Sequence, residues 1–317
     1  MKSAYLIQVL CVYCAAFALF TVLCALRSGR RGAAAAAVSF PLCAVLGIAA
    51  AKLSYVLLME AGSVFFRGEW NILFSPEPSE FCFVGGAAGV CLGVLLAARI
   101  TGYRPAGSLM DRFALPGALL AAGLRMAEAC LGSLGAGRFI DTPSGSPFLI
   151  LAVYNRYGEP HVAVFVWEAA VALAVGLFSL RGEESRPGQR FETAVFRLCA
   201  CQILLENMRS RALSWGFVRV EQLLCAIILV VLLLLACAHG AKKQGAVRFL
   251  PVVYLLACIA AIVGIEFLRQ RSPSRFMGEH GGFLMMAAVL CAVLVLYRAV
   301  STGLRLRHPP DNPETNH

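Results

Sequence analysis

The sequence predicts an all-α integral membrane protein, a polytopic helix bundle with about nine transmembrane helices. Of the 317 residues, 59% are hydrophobic and only 15% are charged, and the mean hydropathy is +0.75. A soluble domain keeps about 25% of its residues charged, so this chain has too few charges to cover a water-exposed fold. The composition excludes a soluble enzyme, a disordered protein and a nucleic-acid-binding domain.

Nine stretches are long and apolar enough to cross a bilayer, which takes about 20 residues. The sixth is the weakest, because Glu192, Arg197, Gln202 and Glu206 interrupt it. The first is expected to be a retained helix rather than a signal peptide, since its apolar run is too long and no small-residue cleavage site follows it. The predicted spans are 5–26, 34–58, 80–99, 111–132, 160–180, 190–208, 217–238, 249–268 and 281–300.

The distribution of basic residues predicts an N-terminus outside the cell and a cytoplasmic C-terminus. With this orientation, the inner loops hold more Lys and Arg than the outer loops, beginning with Arg27, Arg30 and Arg31. The outer loops nevertheless contain more arginines at 209–219 and 269–275 than this topology predicts. The net charge of +10 therefore fits topology control and contact with anionic lipid headgroups, not nucleic acid.

Glycine and cysteine patterns indicate packing rather than chemistry. Gly85, Gly89 and Gly93 recur every four residues, which predicts close approach of another helix. The thirteen cysteines lack disulfide-scaffold or zinc spacing, and most lie in apolar runs. No P-loop, HExxH or GxSxG pattern is present.

Charged side chains at membrane depth are the candidates for function, because each is costly to bury. Arg125 and Glu128 are three residues apart, so they share a helix face and can form an ion pair. His161 and Glu168, seven apart, are also expected to share a face. The candidates are Lys52, Arg125, Glu128, His161, Glu168, Arg197 and Glu206, with Glu221 and Glu266 as further members.

A third set lies on the sixth helix, where Gln202, Glu206 and Arg209 share a face at offsets of four and three. In one interpretation, the charges of each set only pair with one another inside the helix bundle and have no functional role. Polar sets on four helices of one small protein favour a common polar cavity instead, since each buried charge needs a partner.

Short motifs follow one another through residues 40–238. In chain order they are a small-residue run ending in Lys52-Leu-Ser-Tyr55, then Phe83-Val-Gly85-Gly86, Asp111 to Arg125, His161 to Glu168-Ala, Glu206-Asn-Met-Arg209, and Glu221-Gln-Leu-Leu. The series resembles the prolipoprotein diacylglyceryl transferase family in order, spacing and topology. The resemblance implies seven family-like helices, with 249–268 and 281–300 as about two additional C-terminal ones.

The chain departs from the family pattern at several positions. Val84 stands where the family has His, and Glu128 stands at the first Asn of the family signature. The signature Glu falls near Ser133 if no gap is allowed, whereas a local deletion would make Glu128 that acid. Gln202 replaces an Arg four residues before the sixth-helix Glu. His161 can substitute for the lost His only if it faces the same cavity.

The resemblance implies transfer of a diacylglyceryl group from phosphatidylglycerol to the lipobox cysteine thiol of a prolipoprotein, at the bacterial plasma membrane. The partners are this lipid and the prolipoprotein signal peptide, and neither a metal nor an organic cofactor is required. Arg125 is expected to clamp the phosphate, because its planar fork is permanently charged. Glu206 is expected to orient Arg125 or act as base, and Glu128 is a candidate for either role. The expected substrate-binding residues are Arg209, Lys52, Tyr55, Gly85, Gly86, Asp111, His161, Glu168 and Gln202.

Residues 1–238 are expected to form the transferase-like domain, residues 239–304 two additional helices, and residues 305–317 a disordered cytoplasmic tail. Two alternatives remain open. One is a family member that has lost catalysis and binds lipid or signal peptide. The other is a small-solute transporter, which would show an internal inverted repeat, and no such repeat is visible in the sequence.

Overall fold

The computed structural model describes residues 2–75, 77–140, 151–155, 157–181, 186–210, 213–215, 218–241, 250–271 and 279–306. Within these ranges the chain is almost entirely helical, which confirms the predicted all-α membrane architecture. The α-helices described are α1 (Lys2–Met59), α2 (Ala61–Arg67), α3 (Phe83–Ile100), α4 (Ala106–Ala127), α5 (Val164–Leu180), α6 (Gln189–Glu206), α7 (Val220–Ala241), α8 (Leu250–Arg271) and α9 (Glu279–Leu306).

Short elements connect these helices. Two antiparallel pairs of strands are present, β1 (Ala152–Tyr154) with β2 (Pro160–Val162), and β3 (Ser214–Trp215) with β4 (Val218–Arg219). The 3-10 helices described are Trp70–Phe74, Pro78–Glu80 and Glu128–Leu134.

Four helical segments of the described chain are long and apolar enough to cross a membrane: Ser3–Met59, Phe83–Ile100, Ala106–Gly132 and Val220–Ala238. Three shorter apolar helices are Val164–Leu180, Pro251–Ile265 and Leu284–Arg298. The sixth predicted span corresponds to α6, which belongs to neither group; its charged residues lower its hydropathy, as the sequence indicated.

The helix α1 is a hairpin of two arms that meet at Gly29. This residue has φ 60 and ψ −153, which glycine adopts without steric cost. Tyr13 donates a hydrogen bond to the Phe40 carbonyl at 2.5 Å, and the Phe17 and Phe40 rings lie 5.7 Å apart. In a straight helix, residues 27 apart would be about 40 Å apart, so the arms must fold back on each other. They correspond to the first two predicted spans.

An aromatic core joins the α1 hairpin to α4. Phe17, Phe20 and Phe113 are all buried, and the Phe20 and Phe113 rings meet edge to face at 5.0 Å. Such contacts stabilise a bundle in lipid by close packing, because the surrounding acyl chains are as apolar as the side chains.

The glycine stripe of α3 lies against the second arm of α1, as predicted. A Cβ on Gly89 would lie 2.2 Å from the Leu46 carbonyl oxygen, and one on Gly93 would lie 2.7 Å from the Cys43 sulfur. The backbones therefore approach closely only because these positions lack side chains. This packing fixes the start of α3, where Phe83 lies.

The predicted fifth helix starts later than expected. Residues 160–162 form β2, which pairs with β1 so that His161 lies opposite Val153, and α5 begins only at Val164. The expectation that His161 and Glu168 share a helix face is therefore wrong. Pairing with a strand, which hydropathy does not reveal, overrides the helical pattern.

The chain divides into two compact units, one of residues 1–195 with 205–222 and one of residues 196–204 with 223–317. In the second unit α8 packs against α9, and the Phe196 ring stacks on Tyr297 at 3.9 Å. Of the predicted tail, residues 305 and 306 belong to α9, and residues 307–317 lie outside the described residues.

Candidate active site

Six charged side chains meet within the first unit, and we name them the arginine–glutamate cluster. They come from the end of α4, the following 3-10 helix, α5, the end of α6, the segment after α6 and the start of α7. The members are Arg125, Glu128, Glu168, Glu206, Arg209 and Glu221.

Arg125 lies at the centre of the cluster and is 4% exposed. Its Nη1 donates to Glu128 Oε1 at 2.7 Å. Its Nε lies 3.3 Å from Glu168 Oε2, and its Nη2 lies 3.5 Å from Glu221 Oε2. The guanidinium also lies 3.7 Å from the centre of the Phe83 ring, a cation–π distance. The carboxylates and the ring together fix its position.

Arg209 binds the same carboxylates from the opposite side. Its Nε and Nη2 form a fork with Glu168, at 2.9 and 2.5 Å, and its Nη2 also lies 2.8 Å from Glu128 Oε2. Glu206 is more distant, at 3.7 Å from Nε. Burial lowers the pKa of Arg209, but Glu168 and Glu128 raise it more, so the pKa lies well above its ordinary value. Arg209 is therefore a permanent cation.

Backbone contacts hold the segment after α6 in place. Arg219 donates to the carbonyl oxygens of Glu206 and Arg209. The Arg138 amide donates to the Met208 carbonyl at 2.9 Å. These contacts bring Arg209 back towards α4 and α5 immediately after the helix ends.

Glu221 connects three helix ends. Its Oε1 accepts the Phe83 amide at 2.7 Å, which satisfies one of the donors left open at the start of α3. Its Oε2 faces Arg125. One carboxylate at the start of α7 therefore positions both the first turn of α3 and the guanidinium at the end of α4.

Two donors of Arg125 have no hydrogen-bond acceptor in the part of the chain that the structure describes. Nε and Nη2 are buried and form no hydrogen bond with any described residue, although both have ion-pair contacts. Leaving a buried donor without an acceptor is costly. These two nitrogens form one edge of the guanidinium, so a ligand with two adjacent oxygens, such as a phosphate, would satisfy both at once.

Lys52, a predicted substrate-binding residue, pairs with Glu80 at 2.7 Å instead of a cluster carboxylate. Its ammonium lies 5.0 Å from the Phe81 ring and 5.6 Å from the ring of Tyr55, a second predicted residue. Burial raises the pKa of Glu80, but hydrogen bonds from Lys52 and Ser75 lower it more, so the net pKa is lowered. The Glu80 carboxylate is therefore ionised near neutral pH.

Asp111 lies at the other end of α4 from Arg125. Fourteen residues separate them, which is about 21 Å along a helix. Its carboxylate accepts the amides of Gly188 at 2.5 Å and Phe191 at 3.0 Å, so it caps the start of α6. The structure thus gives Asp111 a capping position remote from the cluster.

The two glycines predicted to bind substrate lie against the second arm of α1. A Cβ on Gly85 would lie 2.3 Å from the Ser54 hydroxyl oxygen, and one on Gly86 would lie 3.2 Å from the Ala51 Cβ. Gln202 is half-buried on α6, one turn before the helix ends.

His161 is held in the β1–β2 hairpin. Its Nδ1 lies 3.1 Å from the Gly137 carbonyl, which can only accept, so Nδ1 donates this hydrogen bond. Nε2 lies 3.4 Å from the Asn155 amide nitrogen. Gly137 also forms a backbone bridge with Arg209, so one residue separates His161 from the cluster.

Sequence reasoning missed three contributions to the site. Glu221 was only a further candidate, Arg219 was counted only in the outer excess of arginines, and Phe83 was only a motif position. The arginine excess was the available signal for Arg219. No pattern in the sequence indicates the cation–π contact of Phe83. Among the described residues, no group of three His, Cys, Asp or Glu side chains is arranged to hold a metal ion.

Residues 9–238 match the family model described as prolipoprotein diacylglyceryl transferase. Among curated proteins, no sequence matches the chain. The matched region contains the whole arginine–glutamate cluster and ends within α7, before α8 and α9. The chain therefore belongs to the prolipoprotein diacylglyceryl transferase family.

Proposed function

We propose that the chain transfers a diacylglyceryl group from phosphatidylglycerol to the lipobox cysteine thiol of prolipoproteins, and that Arg125 holds the lipid phosphate. Prolipoprotein diacylglyceryl transfer is the activity of its family. One observation carries the assignment of the phosphate to Arg125: its Nε and Nη2 are buried but form no hydrogen bond with the described residues.

In the proposed reaction, the thiolate sulfur attacks the glyceryl carbon that carries the phosphate ester. The carbon–sulfur bond forms as the carbon–oxygen bond breaks, and glycerol phosphate leaves with the bonding electron pair. Negative charge develops on the leaving phosphate, where a prearranged cation in a buried site is most effective. Arg125 would supply that cation, and Arg209 would hold Glu128 and Glu168 in position around it.

The thiol must lose a proton before it attacks, because the thiolate is the nucleophile. Glu206 is our proposed acceptor. Its carboxylate is buried within the cluster, where Oε2 lies 3.7 Å from Arg209 Nε. Glu128, which bridges both arginines at 2.7 and 2.8 Å, is better suited to positioning them.

An N-terminus outside and a cytoplasmic C-terminus would place the Arg125 end of α4 at the outer leaflet of the bacterial plasma membrane. In this scheme, residues 1–238 form the transferase domain and residues 239–304 add two membrane helices. The signal peptide would approach from the outer leaflet, and phosphatidylglycerol would enter through the same leaflet.

A second candidate function is binding of lipid or signal peptide without transfer. Val84 favours it, because this apolar residue occupies the position of the family His in the first turn of α3, next to Phe83. The valine cannot assist deprotonation of a thiol.

Complementation separates the two functions. A host depleted of its own transferase would express the wild-type chain, Arg125→Ala, or the control Arg99→Ala, which removes an exposed arginine at the end of α3. The readouts are growth, lipidated lipoprotein, and the amount of the chain in the membrane fraction.

We expect the wild type and Arg99→Ala to restore lipidation, and Arg125→Ala to lose it by at least about a hundredfold while still inserting. Lipidation by Arg125→Ala at the parental rate would remove Arg125 from the mechanism. A wild-type chain that inserts but restores no lipidation would favour the binding function.

A further inference from the structure

A second polar site lies in the first unit, around the Asp111 end of α4. It is a small, partly open cleft with a volume of about 30 Å³. Its polar lining comes from Arg27 at the end of the first arm, Asp111 and Arg112 on α4, Ser179 on α5 and Arg190 on α6. We call it the arginine cleft.

Among the described residues, the lining of the arginine cleft contains three guanidiniums and one carboxylate. That carboxylate, Asp111, already accepts the amides of Gly188 and Phe191 at the start of α6. The N-terminus of α6 adds further positive potential. Because neither Arg27 nor Arg112 forms an ion pair with any described residue, the lining has an excess of positive charge, unlike the arginine–glutamate cluster.

Arg112 is fixed in the lining by neutral partners. Its Nη1 donates to the Tyr103 hydroxyl at 2.5 Å, and that hydroxyl lies 2.8 Å from the Ser28 hydroxyl oxygen. These contacts orient the guanidinium without neutralising it. Among the described residues, neither Arg112 nor the exposed Arg27 forms an ion pair.

The rest of the lining is apolar. Ser179 donates its hydroxyl to the Gly176 carbonyl at 2.6 Å, so it offers no proton to a ligand. Recognition of an anion therefore depends on the arginines. The remaining lining residues are Leu23, Leu115 and Leu180.

We infer that the arginine cleft binds a phosphate group, carried by an anionic lipid headgroup or present as free phosphate. Guanidinium forks match phosphate oxygens, and basic pockets between membrane helices attract anionic headgroups. The cleft lies about 21 Å along α4 from Arg125, so it is separate from the proposed substrate phosphate and does not depend on transferase activity.

The test uses the full chain in an uncharged detergent, with Arg125→Gln in every protein so that the proposed substrate site does not contribute. Native mass spectrometry would measure binding of dioleoyl phosphatidylglycerol, dioleoyl phosphatidylcholine and inorganic phosphate. The cleft variant is Arg27→Gln with Arg190→Gln. Its matched control is Arg30→Gln with Arg31→Gln, two exposed arginines just after the first arm.

We expect the parent to bind phosphatidylglycerol in preference to phosphatidylcholine, and the cleft variant to bind it at least about tenfold more weakly. The control should bind it like the parent. Binding of inorganic phosphate with the same loss in the cleft variant would identify free phosphate as the source; binding of phosphatidylglycerol alone would identify the lipid headgroup.

Equal affinity in the parent and the cleft variant would overturn the inference, as would an equal loss in the control. If the double variant does not fold, Arg27→Gln alone suffices, because its exposed side chain contributes no ion pair. That variant should bind phosphatidylglycerol about fivefold more weakly, and an unchanged affinity would contradict the proposal.

Discussion

The two ends of α4 hold arginines in opposite surroundings. At the Arg125 end, two arginines face four carboxylates; at the Asp111 end, three arginines and one carboxylate, which already caps α6, line a cleft. Arg125 is neutralised but keeps an edge without hydrogen bonds, whereas Arg27 and Arg112 have no ion pair within the described chain. The comparison teaches that the arrangement of donors, as well as net charge, makes an arginine available to an anion.

The largest stability effect should come from Glu168→Ala, which removes the carboxylate shared by Arg125 and Arg209. Two buried cations then lose a partner, and breaking a buried ion pair costs about 3–5 kcal/mol. Thermal unfolding in detergent would measure the loss. The control is Ser179→Ala, near the other end of α5, which removes one hydrogen bond and should cost about 1 kcal/mol. Equal losses would show that the Glu168 carboxylate contributes no more to stability than the single hydrogen bond of Ser179.

An intermediate effect is expected from Arg209→Lys. The ammonium keeps the charge but cannot reproduce the fork to Glu168, so the free energy of unfolding should fall by about 1.5–3 kcal/mol. Arg112→Lys is the matched change at the other end of α4. A lysine there can still donate to the Tyr103 hydroxyl, so a loss of about 1 kcal/mol or less is expected. A larger loss for Arg112→Lys than for Arg209→Lys would show that stability depends more on guanidinium geometry at the Asp111 end of α4 than in the cluster.

The smallest stability effect should come from Asp111→Asn, with a loss of about 1 kcal/mol, because the amide oxygen replaces only part of the cap on α6. Within the described part of the chain, Asp111 supplies the one carboxylate of the arginine cleft, and the same change removes it. Binding of phosphatidylglycerol there should therefore strengthen, as native mass spectrometry would show in the Arg125→Gln protein. Weaker binding in a variant that remains folded would mean that Asp111 helps to hold the ligand.

Local spacing predicted two contacts between residues that are three apart in the chain, although Arg209 lies just after the end of α6 and not on the helix as expected. Arg125 with Glu128 and Arg209 with Glu206 are each three residues apart, and both ion pairs are present. The sequence also proposed Glu206 as a partner that orients Arg125, whereas the ion pairs of Arg125 are with Glu128, Glu168 and Glu221.

The remaining contacts depend on tertiary structure, which a single sequence does not contain. Arg209 and Glu168 are 41 residues apart, and the Phe83 amide is 138 residues from its acceptor, Glu221. The hydropathy of residues 160–163 is compatible with a helix, and only the pairing with β1 makes them a strand. The prediction of Asp111 as a substrate residue followed from its place in a motif, which does not indicate that the start of α6 lies beside it.

The reversal at Gly29 determines on which side of the membrane each later helix begins, because it adds one traverse to the count. Because α1 is interrupted at Gly29 and folds back on itself, its two arms traverse the bilayer in opposite directions and return Met59 to the side of Lys2. Two further traverses, by α3 and α4, then bring Arg125 to that same side. Counting α1 as a single traverse would assign every later helix the wrong polarity and would exchange the leaflets of the two arginine sites.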